Sequence, residues 1–138
     1  MKAYISLSFD KRSSLSQVIT VINNCLDSVN ITPLVFVDKY KFAADEEKEM
    51  MAAAMQEIDS CDFLIAETSV KGIGIGVEAG YAKAKNKPVI YVRHQEAGHS
   101  TTVAGISDYQ VIYTSIADLG EQLPDIINNI LTQQLAPQ

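Results

Sequence analysis

The chain has 138 residues, about one domain's length, with 47% hydrophobic and 20% charged residues. These are the proportions of a soluble globular domain that folds without a metal or disulfide staple. Seventeen acidic against eleven basic residues leave a net charge of −6, which argues against duplex nucleic acid as a main partner, because phosphate binding calls for a basic face.

Residues Ala3–Leu7 read as a first strand that runs into the polar stretch Ser8–Ser14. Leu15, Val18, Ile19, Ile22, Leu26 and Val29 then recur at the spacing of an amphipathic helix. Pro33 punctuates, and Leu34-Val35-Phe36-Val37 suits a strand buried on both faces. Asp45-Glu46-Glu47 opens a helix, with carboxylates at the positive end of its dipole, that continues to about Asp59; Met50, Met51 and Met55 on it are expected to fill the core. Phe63-Leu64-Ile65-Ala66 is a third strand. A glycine-rich turn follows and leads into a helix from about Val77 to Lys85. Pro88–Val92 is a fourth strand, Arg93–Ser107 a polar loop and Tyr109–Tyr113 a fifth strand. A last helix carries Ile126, Ile127, Ile130, Leu131 and Leu135, its start left open by Pro124.

Strands alternating with helices over so short a chain predict a single domain, 1–138, of the α/β class. The expected architecture is a doubly wound, five-stranded parallel sheet, Rossmann- or flavodoxin-like, with helices on both faces. Ligands of such folds bind beyond the carboxyl ends of the strands, which picks out Ser8–Ser14, Thr68–Glu78 and Arg93–Ser107. No apolar run approaches a membrane span, and Met1–Ile5 enters strand-like sequence without a signal-peptide core. The expected setting is the cytoplasm, with Cys25 and Cys61 as reduced, buried thiols and no membrane partner.

Four of the seven glycines (Gly72, Gly74, Gly76 and Gly80) fall within nine residues. Alternating glycines before a helix let the backbone approach a ligand closely, and the helix start offers free N–H groups to an anion. Glu78, expected in the first helical turn, could act there as nucleophile or general base. The plainer reading is a tight strand-to-helix turn in which Glu78 only complements the helix dipole. Gly-x-Gly-x-Gly lacks the offset of the dinucleotide fingerprint and the Gly-Lys-Ser/Thr of a phosphate-binding Walker loop, so no cofactor is expected. His94 and His99 bracket four loop residues without a third ligand, so no metal is expected either, and Asp62 reads as a turn or cap residue.

The segments Cys61–Glu67, Gly74-Ile75-Gly76-Val77-Glu78-Ala79-Gly80-Tyr81-Ala82 and Lys87–Ile90 together resemble the nucleoside 2-deoxyribosyltransferase family. Within it they are nearest the small 2′-deoxynucleoside 5′-phosphate N-hydrolases. Tyr4-Ile5-Ser6-Leu7-Ser8 is similar to the family's first strand and phosphate loop, and Ser100 stands five residues before Gly105 as a phosphate-contacting serine does in that branch. The resemblance implies that Glu78 attacks the anomeric carbon of a (deoxy)ribosyl group and displaces the base. The glycosyl ester then passes to water or a second base. It implies that Tyr4 orients Glu78, that Ser8, Phe9, Gly74 and Gly76 bind substrate, and that Ser100 completes a neighbour's site in a homodimer.

Three positions depart from the family pattern. Ala54 stands where an aspartate 24 residues before the nucleophile helps protonate the departing base, Asp10 replaces an arginine, and Gly72 replaces a serine. Glu57, one helical turn beyond Ala54, shares its face but reads as a solvated residue. Asp10 should repel a 5′-phosphate dianion. The alternatives are a binding module that holds a nucleotide-derived ligand without turnover, and a TIR-like NAD-cleaving domain, against which the Gly-x-Gly-x-Glu segment speaks.

Overall fold

The computed structural model describes residues 1–135, with the side chain of Leu135 excepted. The end of the expected 1–138 domain and the place of Leu135 in the last apolar stripe therefore lie outside the described residues. Five strands, β1 (Lys2–Ser6), β2 (Thr32–Val35), β3 (Phe63–Glu67), β4 (Val89–His94) and β5 (Tyr109–Tyr113), form one sheet. It is parallel throughout, in the order β2-β1-β3-β4-β5. Both faces of the central strands β1, β3 and β4 are covered, so these read as near-continuous buried runs, and all five residues of β3 are buried, whereas the edge strand β5 alternates, with Gln110 and Ile112 exposed. This is the doubly wound α/β architecture the sequence predicts.

The helices are α1 (Ser16–Asp27), α2 (Phe36–Lys39), α3 (Glu47–Ser60), α4 (Ile73–Ala84), α5 (Thr101–Ile106) and α6 (Ile116–Leu135). Alternate strand residues divide the core in two. Ile5, Ile65, Ile90 and Val92 pack with Ile22 and Leu26 of α1 and Leu123 and Ile127 of α6. Tyr4, Leu64, Val89 and Tyr91 pack on the other face with Ala54 and Ile58 of α3, Ile75, Ala79 and Ala82 of α4 and Val103 of α5. No helix among the described residues is long and apolar enough to cross a membrane.

Several boundaries depart from expectation, each for a physical reason. The second strand ends at Val35, and Phe36 and Val37 enter the single turn of α2 instead. β2 is an edge strand and accepts Pro33, paired opposite Ala3, inside its run. The glycine segment is not a turn before a helix: α4 begins at Ile73, so Gly74, Gly76 and Gly80 lie inside it and Glu78 sits in its second turn. Burial of Ile75, Ala79 and Ala82 at spacings of four and three holds that helix despite the low propensity of glycine. The polar loop contains α5, capped by the Ser100 hydroxyl, which accepts from the Val103 N–H. α6 starts at Ile116 and carries Pro124 within it.

The chain passes from β1 through α1 to β2 on one side, and through α3 to β3 on the other side of β1. The strand order therefore reverses between β1 and β3, and a crevice opens at their carboxyl ends.

Candidate active site

Glu78 projects into that crevice from α4. The Tyr4 hydroxyl, from β1, donates a short hydrogen bond to Glu78 Oε2, and Ser6 Oγ, two residues along the same strand face, donates to Oε1 at 3.3 Å. Tyr4 is itself fully buried. Burial pushes the Glu78 carboxyl up to about 7, and the two hydroxyl donors pull against that rise. The Tyr4 phenol is held above its ordinary value, first by burial and then by the adjacent carboxylate. The result is a carboxyl group, gripped at both oxygens, that changes charge near neutrality.

Helix geometry explains Gly74. It stands four residues before Glu78, on the same face of α4, and helical side chains lean toward the N-terminus. The Glu78 side chain therefore leans back toward position 74, where no atom stands within 4 Å of the place a Cβ would take. Gly74 leaves Glu78 uncovered.

A cavity of about 550 Å³ lies against Glu78. Leu7, Ser8, Phe9 and Asp10 line it from the loop after β1, and Gly72, Gly74 and Ile75 from the start of α4. Phe36, Tyr40 and Phe42 form an aromatic wall, with ring centroids 4.9 to 6.3 Å apart, and α3 adds Met50, Met51 and Ala54. Phe36 also stacks on Tyr4, centroid to centroid at 5.9 Å. Arg12 grips Asp38 with two hydrogen bonds of 2.7 and 2.8 Å, tying the β1 loop to α2.

Ser8, Phe9 and Gly74 thus share one cavity with Glu78, whereas Gly76 and Ser100 do not. Those two line a second cavity of about 420 Å³, with Thr68, Lys71 and Thr102. Within one chain the five expected substrate-binding residues are split between the two sides of the α4 N-terminus.

Ala54 is 2% exposed and faces the cavity with a methyl group. Glu57 is not among the residues lining the cavity; it holds Lys39 Nζ at 3.0 Å and Lys2 Nζ at 3.9 Å. Of the three methionines expected to fill the core, Met50 is half-buried and packs against the core cluster on this face while also lining the cavity, Met51 is half-buried at the cavity, and Met55 is exposed. His94 Nδ1 accepts from the Glu96 N–H, His99 lies against Tyr91, and Asp62 accepts from the Lys2 N–H. Cys61 is buried and Cys25 half-buried, both as free thiols.

Sequence reasoning missed Ser6 and the aromatic wall. The i, i+2 spacing of Tyr4 and Ser6 on one strand face was a usable signal. The wall was hidden because Phe36 read as part of a strand, whereas its four-residue spacing to Tyr40 belongs to the turn of α2.

A second buried carboxyl lies across the sheet. Glu67, fully buried at the end of β3, accepts from the Ser69 N–H at 2.5 Å and from Tyr113 Oη at 3.0 Å, and burial raises it above the ordinary carboxyl range. It is not among the residues lining either cavity described above.

A family described as nucleoside 2-deoxyribosyltransferase matches residues 9–122. Three solved structures share the fold at low identity. A CMP N-glycosidase of Clostridium botulinum is 14% identical, with a TM-score of 0.66 over 89% of this chain and 98% of that one. A conserved protein of Enterococcus faecalis V583 is 16% identical, with a TM-score of 0.70 over 91% and 98%. A 2-deoxyribosyltransferase of Bacillus psychrosaccharolyticus is 14% identical, with a TM-score of 0.65 over 87% and 90%. No curated protein sequence matches the chain.

Proposed function

The chain belongs to the nucleoside 2-deoxyribosyltransferase family, and from that premise we propose that it cleaves or transfers the N-glycosidic bond of a (deoxy)nucleoside or nucleotide through a covalent glycosyl–Glu78 intermediate. The observation that carries this reading is the Glu78 carboxylate, held by Tyr4 and Ser6 at the β1–β3 crevice and open to an aromatic-lined cavity.

In the first step a Glu78 oxygen forms a bond to the anomeric carbon as the carbon–nitrogen bond breaks and its electron pair leaves with the base. In the second, water or another base attacks the same carbon and returns the carboxylate. Tyr4 and Ser6 fix the carboxylate for attack. The base lies against Phe36, Tyr40, Phe42 and the two methionines, where stacking and sulfur–aromatic contacts hold a flat ring. The sugar lies over Gly74, beside Ser8 and Phe9. Ser100 is assigned to the site of a neighbouring copy, consistent with its place in the second cavity and with the exposed apolar residues Ile73 and Val77 on α4 between the two.

The test is chromatography of free base released from deoxynucleosides, ribonucleosides, their monophosphates and NAD. Release by the wild-type chain that disappears in Glu78→Ala supports the reading, and no release from any of them overturns it. A second reading, ligand binding without turnover, draws on Ala54, which places a methyl group where a proton donor would serve a departing base. It predicts thermal stabilisation by a nucleotide that persists in Glu78→Gln and yields no product.

A further inference from the structure

The inner wall of the Glu78 cavity holds a single charged group. Of its buried and half-buried lining residues, only Glu78 ionises as a carboxylic acid; the rest are aliphatic, aromatic, thioether or hydroxyl groups, and Asp10, Lys41 and Lys71 are exposed. The base of a neutral nucleoside leaves as an anion unless it is protonated, and a site that cleaves such a bond normally supplies the proton from a positioned acid. Here the acid facing the ring is already the nucleophile, and the neighbouring α3 position is the methyl group of Ala54. A lone negative charge beside three clustered aromatic rings suits a flat cation instead.

Resting on the glycosidase reading above, we propose that the preferred substrate is a nucleoside or nucleotide whose base is a positively charged, N-quaternised heterocycle, such as a pyridinium or an N7-alkylpurinium. Glu78 forms the carbon–oxygen bond, the bond from the anomeric carbon to the cationic nitrogen breaks, and its electron pair neutralises the ring. The base leaves as a neutral molecule and needs no proton. Water then attacks the glycosyl ester, giving the free sugar and the Glu78 carboxylate, and the surplus proton goes to solvent. The bound cation also favours the ionised form of Glu78, so the substrate helps to charge its own nucleophile.

Two measurements separate this proposal from the reading on which it rests. The first is binding without turnover: calorimetry of N1-methylnicotinamide against nicotinamide on the wild-type chain. The cation is expected to bind about tenfold tighter, from its contacts with the rings and the carboxylate, and equal or weaker binding overturns the proposal. The second is turnover: base release from 7-methylguanosine and guanosine, and from their 2′-deoxy counterparts, each corrected for release by Glu78→Gln. Preference for the methylated member of each pair is expected. In Ala54→Asp, which introduces a proton donor, release from the neutral member should rise by about 10² while the cationic member gains little, so the ratio between them narrows. If the neutral members are cleaved as fast as the cationic ones in the wild-type chain, the proposal fails and the glycosidase reading stands. If no base leaves any of the four, the proposal fails, and the glycosidase reading is decided by the wider panel of nucleosides, monophosphates and NAD. Tyr40→Phe checks the one phenol in the wall: a loss of neutral-base release confined to that variant would make Tyr40 the missing donor and overturn the argument.

Discussion

Tyr4 and Glu78 are 74 positions apart in sequence and share a hydrogen bond, phenol to carboxylate, at the point where the sheet changes direction. Tyr4 is locked from below by the sheet and from the side by Phe36. Glu78 is carried by a helix whose buried stripe fixes its rotation. Neither residue can move without disturbing the core, and the carboxylate is presented to the cavity as a fixed group.

The Glu78 carboxyl gives the chain a pH signature in activity and stability together. Its value rises from the ordinary 4.5 to about 7 on folding. The folded chain therefore holds this proton more tightly, and the stability it contributes is complete below 4.5 and lost as pH rises through 7. Urea unfolding should show Glu78→Gln about as stable as the wild type near pH 4.5 and more stable by about 2 kcal/mol at pH 8, after allowance for solvent screening. Base release by the wild type should fall on acidification with a midpoint near 7, since only the carboxylate attacks. A stability gap that does not change with pH would contradict this assignment.

Tyr4→Phe removes the donor on Oε2 and keeps the ring. Loss of that hydrogen bond lets the Glu78 carboxyl rise further, so the acid limb of the pH–rate profile should move to higher pH. The rate at neutral pH should drop about 10- to 100-fold, the kinetic equivalent of one charge-assisted hydrogen bond. A purely structural tyrosine would change stability and leave the limb in place.

Gly74→Ala separates the helix from the ligand. With open space around the new methyl group and helical backbone at that position, the substitution should stabilise the fold by about 0.5 kcal/mol. The same methyl enters the cavity space in which the sugar is proposed to lie, so KM should rise or turnover fall. Unchanged kinetics would place the sugar elsewhere.

The second buried carboxyl serves as a control. Tyr113→Phe strips Glu67 of one of its two partners and should cost about 1–3 kcal/mol in urea unfolding. Base release should be unaffected at temperatures where the variant is folded. A loss of activity in the folded variant would tie Glu67 to the chemistry.

The sheet was largely legible in the sequence because buried parallel strands leave dense apolar runs, and Tyr109–Tyr113 carries the bounds it was given. The start of α4 was not, because glycine's local preference argues for a turn, while packing of Ile75 and Ala79 onto the sheet favours a helix. The end of β2 failed for a related reason: Phe36 and Val37 have strand propensity, yet they turn into α2 to build the aromatic wall. Glu78 stood out first by its place after the glycine segment at a helix start, where a helix-dipole role was the plainer alternative, and the family motif then singled it out as the nucleophile. That Ser100 and Gly76 line a different cavity from Glu78 is a matter of which side of a helix each faces, and spacing alone does not reveal it when the helix start is misplaced.

The account turns on whether a sugar is ever bonded to Glu78. A 2-deoxy-2-fluoro nucleoside of a good leaving-group base slows the second step, and intact-protein and peptide mass spectrometry then read the trapped species. The predicted result is a mass gain of one fluorosugar, confined to the peptide containing Glu78 and absent in Glu78→Gln. Base release from an unmodified protein, or a label on a different residue, would contradict it.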